Sequence, residues 1–296
     1  MNNKFHQIYE NSIKKPEEFW QEVSKDIFWF KKPTKILNKS NPPFYKWFED
    51  GVTNTCYNAL DLHIDEGRGE KIALIYDSPI TGNKDQFTYS ELKKRVSKFA
   101  GALKKQGVNK GDRVIIYMPM IPEAVVAMLA CGRIGAIHSV VFGGFASNEL
   151  ASRIDDCKAK ILVTASCGFE PGRTVEYKPL VEEAIKMASH KIERLILFQR
   201  SGHEAKINAP QEITWAEALS NAEDVDCVEM NSNDLAYILY TSGTTGVPKG
   251  IVRDIGGHIV ALKWTMKNIY NIDVDDVWWS ASDIGWIVGH SYIVYA

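Results

Sequence analysis

The most informative stretch of this chain is LAYILYTSGTTGVPKG, residues 235–250, where an apolar run ends in a loop crowded with hydroxyls and glycines around one lysine. The apolar run at 235–239 predicts a buried strand. Glycine lets the backbone approach a ligand closely, Ser and Thr supply short donors, and turning backbone N–H groups form a nest for an anion. Lys249 adds a mobile positive charge. The loop is therefore predicted to bind a polyphosphate.

The spacing of this loop excludes an ordinary Walker A motif. That motif needs Gly-x-x-x-x-Gly-Lys followed by Ser or Thr, whereas here Val247-Pro248 separate Gly246 from Lys249, and Gly250 follows the lysine. Ile251-Val252-Arg253 begins with apolar, β-branched residues, which predicts a second strand and not a helix. The alternative is a plain Gly/Ser/Thr hairpin loop, but so many hydroxyls and glycines around a lysine exceed what a turn needs.

Length and composition bound the class of protein. A chain of 296 residues suggests about two domains, or one large α/β domain, and an apolar share of 45% allows a sizeable core. The net charge of −2 gives no electrostatic reason to expect nucleic acid or an anionic membrane as a partner. Five scattered cysteines without a Cys-x-x-Cys pair predict reduced, mostly buried thiols, with no metal site and no disulfide framework.

Two further features of the sequence favour a cytoplasmic setting. The amino-terminal residues lack an apolar signal-peptide core. Prolines and charged residues interrupt the apolar stretch 114–146, which argues against a membrane span. A soluble protein in a reducing compartment is the resulting expectation.

Strand and helix patterns alternate along most of the chain. Thr88 and Glu91 have the spacing of a capping box, and Gly107 is a stop signal. The predicted strands are 72–76, 113–117, 137–141, 160–164 and 194–198, and the predicted helices are 88–106, 122–132, 148–156 and 177–189. This alternation predicts an α/β fold with parallel sheets covered on both faces. Residues 199–234 are more polar and suggest a short insertion.

The loop at 241–250 resembles the phosphate-binding signature of the adenylate-forming superfamily. Residues 58–61, 116–124, 134–145 and 282–292 are also similar to short-chain acyl-CoA synthetases, the AMP-forming acetyl- and propionyl-CoA synthetase-like enzymes. The resemblance runs from about Tyr9 to the last residue. It implies that residues 1–60 are an aromatic-rich arm like the amino terminus of acetyl-CoA synthetases, and that residues 61–296 are an incomplete AMP-binding (adenylation) domain. The arm is expected to pack on the main body through its aromatic side chains.

This resemblance implies an acid–thiol ligase. Such enzymes join a short-chain carboxylate, here propionate or acetate, to coenzyme A through an acyl-adenylate, and release AMP and pyrophosphate. The implied requirements are ATP, Mg²⁺ and coenzyme A, with no prosthetic group, no nucleic acid and no membrane as partners. The exact acid, the oligomeric state and control by lysine acetylation are left open by the sequence.

The resemblance also assigns residues to three sites. The residues that it assigns to binding the ATP phosphates are Thr241, Ser242, Gly243, Thr244, Thr245, Gly246 and Lys249. Lys249 and Thr244 are the candidate catalytic residues among them. The residues assigned to the acyl pocket are Trp286, Ile287, Val288 and Gly289. The residues assigned to binding coenzyme A are Phe142, Gly143, Gly144, Glu170, Pro171, Gly172 and Arg173. Acetate-specific relatives typically have Thr where this chain has Val288, so propionate is favoured. Acetate relatives commonly have Arg where this chain has Glu170, which puts a phosphate contact at 170 in doubt.

Several alternatives remain open at this stage. Residues 286–296 are apolar without a helix stop, and relatives continue further, so the chain is expected to be an amino-terminal fragment that is inactive alone. A non-catalytic split-gene or degraded remnant, and a different adenylating enzyme, are the rival interpretations. His290 is either a satisfied buried histidine or a ligand contact. Gly143-Gly144 is also interpretable as a simple strand-to-helix turn.

Overall fold

The computed structural model describes residues 3–241 and 248–296 of the chain. The described strands are β1 (Leu37–Asn38), β2 (Lys46–Trp47), β3 (Val52–Thr53), β4 (Ile72–Asp77), β5 (Lys84–Thr88), β6 (Arg113–Tyr117), β7 (Ile137–Val140), β8 (Ile161–Ala165), β9 (Cys167–Glu170), β10 (Arg173–Glu176), β11 (Arg194–Phe198), β12 (Glu212–Thr214), β13 (Met230–Asn231), β14 (Leu235–Thr241) and β15 (Lys249–Asp254). The α-helices are α1 (Asn3–Lys14), α2 (Pro16–Val23), α3 (Tyr89–Lys105), α4 (Pro122–Ile134), α5 (Ser147–Cys157), α6 (Tyr177–Met187), α7 (Trp215–Leu219), α8 (Gly256–Asn268) and α9 (Ile287–Val294). None of the helices in these two ranges combines the length and the apolar composition of a membrane span.

A seven-stranded sheet in the order β12-β11-β8-β6-β7-β14-β15 forms the centre of the described residues. Its strands are parallel from β12 to β14, as the alternation of strands and helices predicted. β15 departs from that prediction, because it runs antiparallel to β14. The physical reason is the short connection between them: a few residues can join antiparallel strands, whereas a parallel pair needs a long crossover.

Helices cover both faces of this sheet, which confirms the predicted layering. Successive side chains of a strand point to opposite faces. Val114 and Ile116 of β6 therefore pack in the core shared with α3, α4 and α7, while Ile115 and Tyr117 pack in the core shared with α5 and α6. These four side chains are fully buried. Burial on both faces explains why the strands are apolar at nearly every position.

The ends of the helices show which local sequence signals were sufficient to predict where a helix begins or ends. The capping box of α3 is present: Glu91 N donates to Thr88 Oγ1 at 3.2 Å, and Thr88 N donates to Glu91 Oε2 at 2.9 Å. Helix α4 was predicted to end near Gly132 and continues two residues further, to Ile134, with Gly135 as its C-cap at a φ of +71°. Gly132 serves close packing, since a Cβ there would lie 2.9 Å from Thr55 Oγ1.

The aromatic residues before Asp61 divide into a packed group and an exposed group. Trp29 and Phe48 are buried against Val260 of α8, and the Trp20 ring lies 6.2 Å from the Trp264 ring. Phe5, Tyr9 and Phe44 are instead exposed. Aromatic packing on the main body therefore holds for the middle of the arm but not for α1.

Two regions of the chain contain structure that the sequence analysis missed. Residues 199–234 are no mere insertion, because β12 pairs with β11 at the sheet edge and α7 packs against α3. The apolar end of the chain forms α9, in which Gly289, His290, Ser291 and Val294 are buried. Neither region has a polar–apolar periodicity strong enough to identify it, so contacts distant in sequence decide their conformation.

Candidate functional site

The predicted site residues follow strands that end at one edge of the sheet. Parallel strands have their carboxyl ends at the same edge, and ligands of open α/β sheets bind in the crevice outside those ends. Residues 142–144 follow β7, residues 170–173 lie on the hairpin after β8, and Thr241 ends β14. The topology therefore gathers segments that are far apart in the sequence.

The β14–β15 hairpin carries the predicted phosphate loop. Thr241 and Lys249 are register partners at its mouth, and both are exposed. Ser242, Gly243, Thr244, Thr245 and Gly246 lie outside the described residues. Tyr240, which precedes Thr241 in β14, contacts α5. Its Oη donates to Asp156 Oδ2 at 2.6 Å, and the Arg153 guanidinium carbon lies 5.2 Å from the centre of its ring.

An aromatic cluster joins the predicted acyl pocket to the predicted coenzyme A segment. The Trp286 ring lies 5.8 Å from the Phe142 ring and 6.0 Å from the Phe145 ring, and the two phenylalanine rings are 5.6 Å apart. Trp286, Ile287 and Val288 are 46%, 46% and 44% exposed. Within the part of the chain that the structure describes, these residues form one wall and not an enclosed pocket.

Two tyrosines hold the Gly143-Gly144 segment in place. Tyr117 Oη donates to Gly143 O at 3.2 Å and to Phe145 O at 2.8 Å. A Cβ at Gly143 would lie 2.0 Å from Tyr177 Oη, so only glycine fits beside that hydroxyl. Burial raises the pKa of Tyr117 to about 12, so the phenol stays protonated and remains a donor.

The same segment agrees with the interpretation as a tight turn, because Phe145 N donates to Phe142 O at 3.0 Å. Internal packing alone thus accounts for both glycines: a Cβ at Gly144 would lie 2.4 Å from the Phe142 ring. A turn and a ligand-binding loop are compatible here. Tyr117 and Tyr177 were not identified from the sequence, although Tyr117 is the last residue of a predicted strand and so stands at the edge where ligands bind.

The hairpin of β9 and β10 places Glu170 directly opposite Arg173. Arg173 donates to Glu170 Oε2 from Nε at 2.7 Å and from Nη2 at 2.6 Å. Pro171 and Gly172 form the tip, where Gly172 has a φ of +75°. The hydroxyl of Tyr177, close to Gly143, is also near Gly168, since a Cβ there would lie 2.9 Å from it. The two predicted coenzyme A segments therefore meet through Tyr177, and the charge of Arg173 is balanced by Glu170.

The start of α9 is packed closely against the chain that precedes it. A Cβ at Gly289 would lie 2.3 Å from Asp283 O and 2.6 Å from Ser282 O. Gly285 N donates to Asp283 Oδ1 at 2.6 Å, and burial raises the pKa of the Asp283 carboxyl. Gly289 is thus needed to bring the turn of α9 onto residues 282–283, which sets the position of Trp286.

His290 belongs to a buried histidine cluster, here defined as His138, His258 and His290 with Tyr237 and Tyr295. Its Nε2 lies 2.9 Å from His138 Nε2, and Tyr237 Oη lies 3.1 Å from His258 Nε2. His290 is 0% exposed, which supports a buried core histidine over a direct ligand contact. Burial lowers the pKa of His138 and of His258 to about 3 and holds the pKa of His290 well below its ordinary value, so all three rings are neutral.

The cysteines are free thiols. Cys56, Cys131, Cys157 and Cys167 are buried and Cys227 is half-buried, as the sequence predicted for most of them. Burial raises the pKa of the Cys157 thiol to about 12 and that of Cys131 above its ordinary value. These two are structural core residues with little thiolate at neutral pH.

Comparisons with known proteins give the family. The model of AMP-binding enzymes matches residues 63–296, and the model of the acetyl-coenzyme A synthetase N-terminus matches residues 5–59. Acyl-CoA synthetase short-chain family member 3, mitochondrial, of Homo sapiens is 54% identical over 285 residues, which are 96% of this chain and 42% of that protein. Acetyl-coenzyme A synthetase of Rubrobacter xylanophilus is 44% identical over 97% of this chain and 45% of that protein.

Among solved structures, acetoacetyl-CoA synthetase from Streptomyces lividans superposes with a TM-score of 0.87 at 24% identity, over 97% of this chain and 44% of that chain. This likeness shows the fold, which corresponds to part of the fold of that synthetase. The chain spans less than half the length of the curated relatives it matches. Because the AMP-binding model matches well over half of its residues, the chain belongs to the AMP-binding enzyme family.

Proposed function

We propose that this chain is part of an enzyme that ligates a short-chain carboxylate to coenzyme A, with an acyl-adenylate as intermediate and AMP and pyrophosphate as products. The observation that carries the proposal is the contact of Trp286 with Phe142 and Phe145. In this contact, the segments that we propose for the acyl group and for coenzyme A lie side by side, and Phe142 follows β7 at the end of the sheet where β14 also ends. The names of the relatives, acyl-CoA synthetase and acetyl-coenzyme A synthetase, support the same reaction.

In this proposal the β14–β15 hairpin binds the β- and γ-phosphates of ATP. The carboxylate attacks the α-phosphorus, and pyrophosphate leaves with negative charge that fixed donors must stabilise. Lys249 and the hydroxyls of Thr241 and Thr244 are the proposed donors, with Ser242, Thr245 and the loop glycines around them. Mg²⁺ would arrive bound to the ATP phosphates. We assign it no carboxylate here, because Asp156, beside the hairpin, already accepts a hydrogen bond from Tyr240.

The acyl group is proposed to lie against Trp286, Ile287, Val288 and Gly289. Val288 favours propionate over acetate, since one extra methyl contact is worth about 1–3 kcal/mol of discrimination. Val288→Thr is expected to shift the ratio of kcat/KM values toward acetate in an active form of the enzyme. An unchanged ratio would count against the pocket assignment.

Coenzyme A is proposed to approach the backbone of Gly143-Gly144, which Tyr117 holds rigidly. The hairpin tip at 170–173 is a weaker candidate for a phosphate contact. Its Glu170–Arg173 ion pair leaves the tip without net charge, so a phosphate would have to compete with the carboxylate for the guanidinium.

Residues 1–296 alone are proposed to be inactive. The acyl wall is exposed on one side, and charge stabilisation by fixed dipoles needs a site closed to water. The rival interpretation, a non-catalytic remnant that folds without turnover, also predicts that this chain by itself has no enzymatic activity. The cytoplasmic setting also stays a prediction, because the names of several relatives include the word mitochondrial.

The deciding experiment joins residues 1–296 to the carboxyl-terminal part of the human relative. We expect ATP–pyrophosphate exchange with propionate from the chimera but none from residues 1–296. Lys249→Ala in the chimera is expected to lower adenylate formation by about 10²-fold, as loss of one donor to developing charge typically does. The matched control is Lys267→Ala, an exposed lysine on α8.

Three outcomes would contradict parts of the proposal. A folded chimera without exchange activity would favour the non-catalytic remnant. Exchange by residues 1–296 alone would overturn the proposed inactivity. An equal loss from Lys249→Ala in the adenylation and thioester half-reactions would argue against a phosphate role for this lysine.

A further inference from the structure

A buried cluster of thiols lies around one arginine outside the proposed site. Arg133 of α4 is 0% exposed and donates to Asp61 from Nη1 at 2.7 Å and from Nη2 at 3.0 Å. Its Nη1 also lies 3.2 Å from Cys227 Sγ and 3.6 Å from Cys56 Sγ. Ligand-type atoms of Cys56, Asp61 and Cys227 all lie within 4.8 Å of one another. We call these four residues the Arg133 thiol cluster.

The fold builds this juxtaposition of two cysteines that are far apart in the sequence. β3 and β13 pair antiparallel with Thr53 opposite Met230 and Val52 opposite Asn231. Cys56 lies in the helical turn that begins directly after β3, and Cys227 lies three residues before β13, so this pairing brings the two segments together. Further bonds hold the loop there: Asn54 Nδ2 donates to Val228 O at 2.9 Å, and Val228 N donates to Arg133 O at 2.9 Å.

The charges in this cluster argue against a metal ion. The guanidinium already donates to the Asp61 carboxylate, and Lys93 Nζ lies 3.1 Å from Asp61 Oδ1. Two cations thus lie beside the buried Asp61 carboxylate, and among the described residues the only further carboxylate near the guanidinium, that of the exposed Asp226, lies 3.9 Å from Arg133 Nη2. A divalent ion a few ångströms from a fully buried guanidinium would be strongly repelled. The neighbouring Cys56 thiol and burial raise the pKa of the Cys227 thiol, and the guanidinium offsets only part of this rise. The thiolate is the form that reacts with a disulfide. Thiol chemistry is therefore the use that this arrangement supports.

We propose that Cys56 and Cys227 are a redox-active pair that a small-molecule disulfide, such as oxidised glutathione, converts into an intramolecular disulfide. The Cys227 thiolate attacks one sulfur of the oxidant, which forms a mixed disulfide and releases one glutathione thiolate. The Cys56 thiolate then attacks the Cys227 sulfur and releases the second. In sum, two protein thiols and one oxidised glutathione give one protein disulfide and two reduced glutathione molecules.

The order of these steps follows from accessibility. Cys227 is half-buried in the loop between α7 and β13, whereas Cys56 is 0% exposed. The oxidant therefore reaches Cys227 first, and Cys56 acts as the resolving thiol. The neighbouring Cys56 sulfur and burial raise the pKa of the Cys227 thiol, which slows the exchange because only the thiolate attacks a disulfide.

The disulfide would tie the end of the amino-terminal arm to the loop ahead of β13 and β14. A cross-link between residues so far apart constrains the unfolded chain and raises stability. We expect the oxidised protein to unfold several degrees above the reduced protein. This readout depends on the fold and not on catalysis, so it is independent of the proposed function.

The test incubates the purified chain with oxidised glutathione, followed by intact-mass measurement and peptide mapping without reductant. The expected product has lost the mass of two hydrogen atoms and contains a Cys56–Cys227 peptide pair. Cys56→Ser is expected to stop at a stable mixed disulfide with glutathione on Cys227, and Cys227→Ser to react little. Cys157→Ser, which removes a buried thiol on the opposite face of the sheet, is the matched control and should behave like the unaltered chain.

The wild-type measurement decides the matter even where a variant fails to fold. A folded protein that remains unmodified, that stops at the mixed disulfide, or that forms a different cysteine pair would overturn the proposal. Zn²⁺ alone is the second probe. Stoichiometric Zn²⁺ binding that protects Cys56 and Cys227 from a thiol reagent would replace the redox role with a metal site, whereas no such protection would support the redox pair.

Discussion

The inner strands of the sheet and its outer edge use similar residues in opposite surroundings. Ile115 and Ile116 of β6 are 0% exposed, whereas Ile251 and Val252 of β15 are 42% and 47% exposed. Helices cover β6 on both faces. Outside the sheet, Trp279 is 80% exposed, and Trp286 and Val288 on the acyl wall are also exposed.

This contrast separates stability from function in the molecule. Apolar surface removed from water stabilises the fold by roughly 25 cal/mol per Å², so the inner strands carry most of the stability. Apolar residues left at the edge stabilise it little, and clustered exposed apolar side chains are typical of binding surfaces. The buried histidine cluster joins β7, which carries His138, to α9, which carries His290.

The largest expected effect is acid lability of that junction. The pKa of His138 and of His258 falls from 6.5 to about 3 on burial, so between those pH values the unfolded chain binds more protons than the folded one. Stability therefore falls as the pH drops below 6.5, by about 1.4 kcal/mol per pH unit for each ring, or roughly 4 kcal/mol for both by pH 5. The raised pKa values of Asp254 and Asp283 work in the opposite direction.

Urea denaturation at several pH values between 7 and 5 measures this effect. His258→Gln should reduce the pH dependence of the unfolding free energy by about one proton. Ser291→Ala is the control, because it removes a 3.3 Å contact to the same ring without removing a proton-binding group. Identical slopes for His258→Gln and the unaltered protein would contradict the proposed origin.

The next effect compares one isoleucine from each region. Ile116→Ala should cost about 2–4 kcal/mol of unfolding free energy, since it empties space in a closed core. Ile251→Ala should cost less than about 0.5 kcal/mol, as exposed substitutions usually do. If urea denaturation showed the same loss of unfolding free energy for both variants, the contrast between the two regions would be wrong. The β15 edge would then have to be covered in solution. A dependence on protein concentration would then identify self-association as the cover.

The smallest effect concerns the Gly143 segment at the carboxyl edge. Gly143→Ala should destabilise the protein by about 1–3 kcal/mol, because the added Cβ would lie 2.0 Å from Tyr177 Oη. Tyr177→Phe removes that hydroxyl and should partly rescue the alanine variant. The measurement is a double-mutant cycle of unfolding free energies. Simple additivity of the two changes would show that the contact does not restrict position 143.

The predictions from local signals were accurate. The strands at 113–117 and 194–198 have the predicted bounds, and the capping box of α3 forms at the predicted residues. A run of β-branched residues and a hydroxyl followed three residues later by an acid act within a few residues of themselves. No contact with residues distant in sequence is needed to predict these strands and this capping box.

Signals that depend on neighbours distant in sequence were misjudged or missed. Gly132, near which the helix was predicted to end, lies inside α4, and a Cβ there would lie 2.9 Å from Thr55 Oγ1. The roles of Tyr117 and Tyr177 depend on where Gly143 lies, and that position is set by the order of strands in the sheet. For the phosphate loop, the structure describes only Thr241, Pro248, Lys249 and Gly250, so the contacts assigned to residues 242–246 stay predictions.

The amino-acid order alone establishes the α/β layering, the strand that leads into the phosphate loop and the family resemblance, because each is carried by residues close together in the chain. Tertiary structure decides which segments meet: Trp286 with Phe142, His290 with His138, and Cys56 with Cys227. Each of these pairs is separated by more than a hundred residues and depends on strand order and register, which no local pattern encodes.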